Sequence, residues 1–196
     1  DGTGVGTIVD NDATPTLLID DVSVNEGAGT ATFTVSLSAA SGLAVSFDYA
    51  TSNGTATAGQ DYTAGSGSGS IAAGGTSTTV TVTILEDALD EINETFNVTL
   101  SNPGNATIAD GTGVGTIVDN DATPALSIND VSVNEGAGTA TFTVSLSAAS
   151  GLDVSFAFAT SNGSATAGAD YTAASGSGSI NDLVTESAIL RHMAES

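Results

Sequence analysis

The residues of this chain that could do chemistry are almost all carboxylates. Twenty-three Asp and Glu residues accompany a single Lys or Arg, so that the formal net charge is −22 at pH 7. Eight of these acids fall in four short segments between residues 26 and 121: Glu26, Asp61, Glu86, Asp87, Asp90, Glu91, Asp119 and Asp121. Such carboxylates suit a hard cation, above all Ca²⁺, which accepts roughly six to eight oxygen ligands at flexible geometry.

Few other chemistries have the residues that they need. The chain contains no Cys, which excludes thiolate metal sites and disulfides, and its one His, His192, lies near the end of the sequence. Zn²⁺ and Cu²⁺ are therefore poor candidates, and Mg²⁺ usually keeps several water ligands instead of using an all-protein cage. Paired carboxylates hydrolyse glycosides only from a cleft that sets a suitable separation, so we do not expect an enzyme.

The charge also restricts the partners of the chain. A polyanion is repelled by nucleic acid and by anionic membrane surfaces, so neither is an expected partner. No apolar stretch reaches the ~18 residues that a membrane-spanning helix requires. We therefore expect the partners of this chain to be calcium and neighbouring repeats of the same chain.

The chain is an internal repeat with an offset of 109 residues. Residues 1–15 recur unchanged as 110–124, and only 9 of 56 positions differ between residues 16–71 and 125–180. A period near 100 residues is typical of an independent domain, whereas solenoid repeats run about 20–50 residues. We therefore predict four segments: the end of one repeat (1–13), a complete repeat (14–122), the first part of another (123–180) and a tail outside the repeat (181–196).

The tail differs from the repeat in composition as well as in sequence. It holds the only Arg, His and Met of the chain, at Arg191, His192 and Met193. We interpret residues 181–196 as a junction, a truncation or an artificial end, with a terminal helix as the alternative.

Period-two alternation of apolar and polar residues dominates the repeat and predicts β-strands. Phe33, Val35 and Leu37 share one face of such a run, and Leu43, Val45, Phe47 and Tyr49 share a face of the next. Turn-forming segments separate seven predicted strands: A (16–24), B (30–37), C (43–50), D (66–71), E (76–85), F (94–100) and G (112–118). This pattern favours tandem, immunoglobulin-like, seven-stranded antiparallel β-sandwiches, with a small barrel as the weaker alternative.

Strand parity brings most of the acids to one end of the predicted sandwich. If successive strands alternate in direction, the A–B, C–D and E–F turns lie at the same end as the exit of strand G. Those connections contain the eight acids named above, whereas the opposite end has only Asp110. We therefore expect one strongly acidic pole. An acidic, solvated rim without a specific site is the alternative interpretation.

Four segments closely resemble the Calx-β domain: VNEGAGTATFTVSLS, ATSNGTATAGQDYT, ILEDALDEINETFNVTLSNP and GTIVDND. The resemblance covers residues 1–180 and implies a seven-stranded sandwich whose calcium ligands cluster at one pole. Carried over position by position, and extended to the flanking copies, it implies ten calcium ligands: Glu26, Asp61, Glu86, Asp87, Asp119, Asp121, Glu135, Asp170, Asp10 and Asp12. Tyr62 and Phe96 are interpreted as core residues instead.

Two positions depart from the calcium-sensing members of that family. The third consecutive acid of the E–F turn is Ala88 here, and a further Glu after the Asp-Tyr pair falls at or near Gly65. The resemblance therefore implies one or two calcium ions, held more loosely than in a cluster of four.

These features together favour a calcium-binding structural repeat of a secreted or cell-surface protein. The Thr, Ser, Gly and Ala abundance without Cys suits a long bacterial adhesin or surface filament, in which calcium would rigidify the joints between repeats. One alternative is an adhesion module that binds a glycan or a protein by avidity. Another is head-to-tail assembly, in which residues 1–12 donate a strand to another chain.

Overall fold

The computed structural model describes the backbone of residues 2–181 and 188–193 and the side chains of residues 2–181. The chain divides into two units, of which the first contains Asp1–Glu86 and Asn93–Val118. The second contains Asp87–Ile92 and Asp119–Ser196. Residues 87–92, which belong to the E–F turn of the complete repeat, are therefore part of the second unit.

The first unit consists of nine short strands in two sheets. In chain order the strands are β1 (Thr16–Ile19), β2 (Val22–Asn25), β3 (Thr30–Leu37), β4 (Val45–Asn53), β5 (Ser66–Ile71), β6 (Ser77–Thr83), β7 (Glu94–Gly104), β8 (Thr107–Asp110) and β9 (Thr112–Val118). One sheet has the order β6-β3-β1-β8, and the other has the order β2-β9-β7-β4-β5. The prediction of an all-β sandwich is confirmed.

The core lies between the two sheets and uses the side chains that the alternation predicted. Phe33, Val35 and Leu37 of β3 are buried, as are Val80 and Val82 of β6. From the opposite sheet, Phe96, Val98 and Leu100 of β7 point inward together with Val45 and Phe47 of β4. The rings of Phe33 and Phe96 meet edge to face across the sandwich, with their centroids 5.8 Å apart.

Predicted strand A is in fact two strands that lie in different sheets. β1 pairs antiparallel with β3, whereas β2 pairs in parallel with β9 of the other sheet. Asp20 and Asp21 hold the crossing: Asp20 Oδ1 accepts a bond of 2.6 Å from the Thr34 amide, and Asp21 Oδ1 accepts one of 2.7 Å from the Val114 amide. Two consecutive carboxylates thus tie one segment to both sheets.

Two further details of the strand prediction are wrong. β8 was missed, and it adds in parallel to β1, so the sandwich contains two parallel pairs within an otherwise antiparallel arrangement. Strand C begins at Val45, and the side chain of Leu43 is 63% exposed in the preceding turn instead of facing the core.

The second unit repeats part of this arrangement. Its strands are β10 (Leu126–Ile128), β11 (Thr139–Leu146), β12 (Val154–Ala159), β13 (Ser175–Ile180) and β14 (Ala188–Met193). β10, β11 and β14 form one sheet, and β12 and β13 form the other. A small core of Val144, Leu146 and Ile180 lies under Val154 and Phe156. Residues 131–134 match β2 in sequence but form no strand, and the described residues of this unit include no counterpart of β9, the partner of β2.

The backbone of the predicted tail is extended where the structure describes it. β14 pairs antiparallel with β11 along Thr139↔Met193 to Val144↔Ala188, as β6 pairs with β3 along Thr30↔Thr83 to Val35↔Thr78. The alternative of a helix is therefore wrong for residues 188–193. The other residues of the tail after Asn181 lie outside the described part. Within that described part, no helix has the length and hydropathy that crossing a membrane would require.

Candidate metal centre

The turns that sequence parity assigned to one end of the sandwich do meet there in the first unit. The Ile84 amide at the end of β6 donates to the Gly29 carbonyl of the A–B turn, at 3.1 Å. The amide of the next residue, Leu85, donates to the Asp61 carbonyl of the C–D turn, at 2.9 Å. β7 starts at the same end, where Phe96 pairs with Asn53 at the end of β4.

Glu26 is the acid of this pole that is most withdrawn from solvent. It begins a 3₁₀ turn, Glu26–Ala28, directly after β2, and the turn closes at Gly29 with a φ of 73°. The Glu26 side chain is only 6% exposed. In the parallel ladder of β2 and β9, Asn25 pairs with Val118, so Glu26 follows the last pair of this ladder. A carboxylate in such a position is costly to bury unless hydrogen bonds or a cation compensate its charge.

Asp61 is held in place by the turn that it closes. Its Oδ2 accepts a hydrogen bond of 2.5 Å from the Thr57 amide, and its own amide donates to the Thr57 carbonyl at 3.1 Å. A second carboxylate comes close to it from the start of β7, because one oxygen of Glu94 lies within 4.8 Å of one of Asp61. Glu94 was missed as a candidate ligand. The signal was present in the E-x-x-E-x-F motif, where Glu94 immediately precedes the alternation of β7.

The remaining predicted ligands of the complete repeat are more exposed or lie in the second unit. Glu86 and Asp87 have exposed side chains, and Asp87 Oδ1 accepts a bond of 2.8 Å from the Leu89 amide. Asp119 and Asp121 are both half-buried, and they bring carboxylate oxygens within 4.8 Å of each other. The Asp121 amide also points to Asp119 Oδ1, at 3.5 Å. This pair therefore offers two oxygens at one place directly after β9.

The copies of these acids elsewhere in the chain are exposed. Glu135 begins a 3₁₀ turn, Glu135–Ala137, as Glu26 does, but its side chain is exposed. Asp170 closes its turn as Asp61 does, accepting a bond of 2.7 Å from the Thr166 amide. Asp10 and Asp12 are also exposed, although the Asp12 amide donates to Asp10 Oδ1 at 3.1 Å. Among the residues that the structure describes, none of these four acids belongs to a close group of three or more carboxylates.

The two aromatic residues interpreted as core residues lie directly beneath the pole. Tyr62 and Phe96 are 1% and 0% exposed, and their rings stack with centroids 4.6 Å apart. The Tyr62 hydroxyl donates to Asn53 Oδ1 at 2.6 Å. Burial raises the pKa of Tyr62, and the negative charge of Asp61 acts in the same direction. The phenol therefore stays neutral and supports the Asp61 turn from below, which confirms the core interpretation.

Asp48 lies away from the pole and is stabilised by hydrogen bonds from neighbouring side chains. Asp48 on β4 accepts hydrogen bonds from Asn102 Nδ2 at 2.9 Å and from Ser68 Oγ at 2.8 Å. These two bonds lower the pKa of Asp48 below its ordinary value. In the pole, Asp61 also accepts a hydrogen bond but has the second carboxylate of Glu94 close to it, and the repeat offers no Lys, Arg or His to neutralise these acids. Oxygen ligands alone, at loose spacing, fit Ca²⁺ better than Zn²⁺ or Cu²⁺.

Comparison with known proteins finds one matching family model and several similar solved structures. A model of the Calx-beta domain matches residues 10–123 and 118–181. The solved apo-form Calx CBD1 domain is similar, with a TM-score of 0.53 and 23% identity over 56% of this chain and 100% of that one. CBD12 from CALX1.2 matches with a TM-score of 0.51 and 22% identity, over 90% of this chain and 74% of its own. The calcium binding domain CBD12 of CALX1.1 matches with a TM-score of 0.52 and 19% identity, over 89% of this chain and 74% of its own. No curated protein matches the chain.

Proposed function

The chain belongs to the Calx-beta domain family, and we propose on that premise that the acidic pole of its complete repeat binds calcium. Glu26, Asp61 and Glu94 would supply oxygens from the first unit. Asp119 and Asp121 offer a pair of oxygens of their own within the second unit. Glu86 directly follows Leu85, whose amide is hydrogen-bonded to the Asp61 carbonyl, so Glu86 could supply a further oxygen. When bound, the ion would neutralise part of a charge that no basic residue of the repeat can balance.

The burial of Glu26 carries this proposal. A solvated acidic rim would leave its carboxylates exposed, as Glu135 is, because nothing is gained by withdrawing an anion from water. Glu26 is instead 6% exposed at the edge of a pole that holds further acids. A calcium ion, which takes carboxylate and carbonyl oxygens together, offsets the cost of that burial.

Calcium should therefore stabilise the first unit, and the variant Glu26→Gln should lose most of this gain. For a dissociation constant of about 0.1 mM, within the ~10⁻⁴–10⁻³ M range of extracellular calcium modules, about 10 mM CaCl₂ raises the free energy of unfolding by about 2.7 kcal/mol. Denaturant unfolding in CaCl₂ and in EDTA measures the difference, and calorimetric titration with CaCl₂ measures the binding itself.

The second repeat provides the matched control. Glu135→Gln is the same substitution in the same local sequence, but at an exposed side chain, and it should leave the calcium-dependent gain unchanged. Asp61→Asn keeps an oxygen that can accept the Thr57 amide and removes only the charge, so it tests the pole without breaking the turn. No heat on titration, together with equal stability in CaCl₂ and EDTA, would contradict the proposal.

We further propose that calcium stiffens a run of these repeats in a secreted or cell-surface protein, such as an adhesin or a surface filament. Asp119 and Asp121 stand between β9 and the link to Pro124, so an ion that they hold would restrain that link. Small-angle scattering should then give a larger maximum dimension in CaCl₂ than in EDTA. Replacing both Asp119 and Asp121 by Asn should abolish the change, and an identical dimension in both buffers would count against a calcium-stiffened rod.

Head-to-tail assembly by strand donation is the second candidate, and one observation favours it. Residues 2–12 repeat the sequence of β9 and its flanks, yet they form no strand, and Val5 and Ile8 are 94% and 98% exposed. Residues 131–134 of the second unit match β2, which pairs with β9 in the first. Sedimentation over a range of concentrations decides between the candidates: self-association supports donation between chains, and a monomer throughout excludes it.

A further inference from the structure

The acidic segment Asp87–Ile92, here called the docked segment, is held within the second unit by a specific set of hydrogen bonds. The Asp90 carbonyl accepts bonds from the Gly151 amide and from Ser150 Oγ, each at 3.2 Å. Thr123 Oγ1 donates to Asp90 Oδ1, also at 3.2 Å. Asp90 and Ser150 form a bridge of the parallel type, so the contact has the geometry of a short strand pair.

The surface that receives the docked segment is built to fit it. Ser150 is a polar residue that is only 1% exposed, and its Oγ also accepts a hydrogen bond of 3.1 Å from the Leu152 amide. At Gly151 the Glu91 side chain lies directly over the backbone, so an added Cβ would overlap its carboxylate and force that side chain to move. This surface, consisting of Thr123 and Ser150–Leu152, is here called the receiving surface.

The complete repeat presents the same receiving surface in an open state. Thr14 and Ser41–Leu43 are the same residues, 109 positions earlier in the sequence. The Leu43 amide donates to Ser41 Oγ at 3.1 Å, as in the second copy, so the turn is already formed. Its Ser41 is only half-buried, and an added Cβ at Gly42 would meet nothing within 4 Å. Leu43 is 63% exposed, against 38% for Leu152.

We infer that this open surface is a docking site for the segment equivalent to Asp87–Ile92 from another copy of the repeat. The occupied example in the second unit shows the partner and the contacts, and the identical residues at positions 39–43 and 148–152 supply the same donors. The receiving surface carries no charged residue, so hydrogen bonds to Asp90, not opposite charges, hold the contact. The contact needs no metal, and Asp90, through which it is made, is not among the ten implied calcium ligands.

Limited proteolysis in EDTA tests the docked contact in the chain itself. Gly151→Val should displace the docked segment and raise the rate of cleavage after Glu91 by a Glu-specific protease about tenfold, since a net hydrogen bond or two is lost. Gly42→Val, the same change in the open copy, should leave that rate as it is. Ser150→Ala against Ser41→Ala repeats the comparison without added bulk. Equal rates for the members of both pairs would overturn the inference.

A longer chain tests the open surface directly. Placing residues 1–109 in front of residue 1 continues the repeat in register, and it puts a second docked segment where it can reach Ser41–Leu43. In that chain Gly42→Val should accelerate cleavage in the added segment about tenfold, although it has no such effect in the shorter chain. If Gly42→Val stays neutral, the open surface is not a docking site. Because EDTA is present throughout, this outcome is independent of whether calcium binds.

Discussion

Replacing Phe96 by Ala is expected to lower the free energy of unfolding of the first unit by about 3–5 kcal/mol. The side chain is fully buried, stacks on Tyr62 and meets the edge of Phe33, so its removal leaves a cavity at the centre of the sandwich. A loss of this size is a large part of the ~5–15 kcal/mol that stabilises an ordinary domain. Urea denaturation, with hydrogen exchange of the β7 amides as a local probe, measures it.

The same substitution should also affect the proposed calcium site through Tyr62. With the stacking partner gone, Tyr62 and the adjoining Asp61 turn lose their support, so the calcium-dependent gain in stability should shrink as well. Thr99→Ala, on the exposed face of the same strand, is the control and should change stability by no more than about 0.5 kcal/mol. An equal effect of the two variants would mean that the aromatic cluster does not support the sandwich.

The regular parts of the fold could be predicted because alternation along a strand reports directly on which face is buried. β3, β6 and β7 were found from this pattern, and even the Gly- and Ser-rich β5 was placed correctly between its turns. The reason that β5 tolerates glycine appears only in the structure. Gly67 and Gly69 lie opposite Tyr49 and Phe47, whose rings cover them, so an added Cβ at Gly69 would overlap the Phe47 ring.

The crossing between β1 and β2 could not be predicted in the same way. Residues 16–24 read as one continuous strand, because apolar residues occur in both halves and alternation does not say which sheet a strand joins. The carboxylates of Asp20 and Asp21 fix the crossing, because they accept hydrogen bonds from amides of β3 and of β9, which lie in different sheets. β8 was missed for a related reason: it is short, follows the SNPGN turn and pairs with β1 in parallel, a long-range contact that no local pattern reveals.

For the candidate site, sequence parity predicted which turns meet but not how deeply each acid lies. Glu26 and Glu135 have identical neighbours, and only the surrounding strands make the first buried and the second exposed. Glu94 was read as a strand residue, since it stands at the start of the β7 alternation. Its proximity to Asp61 depends on the antiparallel pairing of β7 with β4, which brings the start of one strand to the end of the other. The identity of the ligands remains a prediction.

Replacing Gly115 by Val should destabilise the first unit by about 1–3 kcal/mol or more, because the inner face of β9 has no room there. A Cβ at Gly115 would overlap the Phe96 ring, and one at Gly113 would overlap the Asp20 carbonyl where β1 passes to β2. The chain supplies a closely matched control in Gly6, which has the same neighbours in sequence but nothing within 4 Å of its added Cβ. Gly6→Val should therefore leave the unfolding midpoint in urea unchanged, whereas Gly115→Val should lower it. If both variants unfold like the unsubstituted chain, then β9 does not pack against Phe96, and the place of β9 in the sheet beside β2 loses its support.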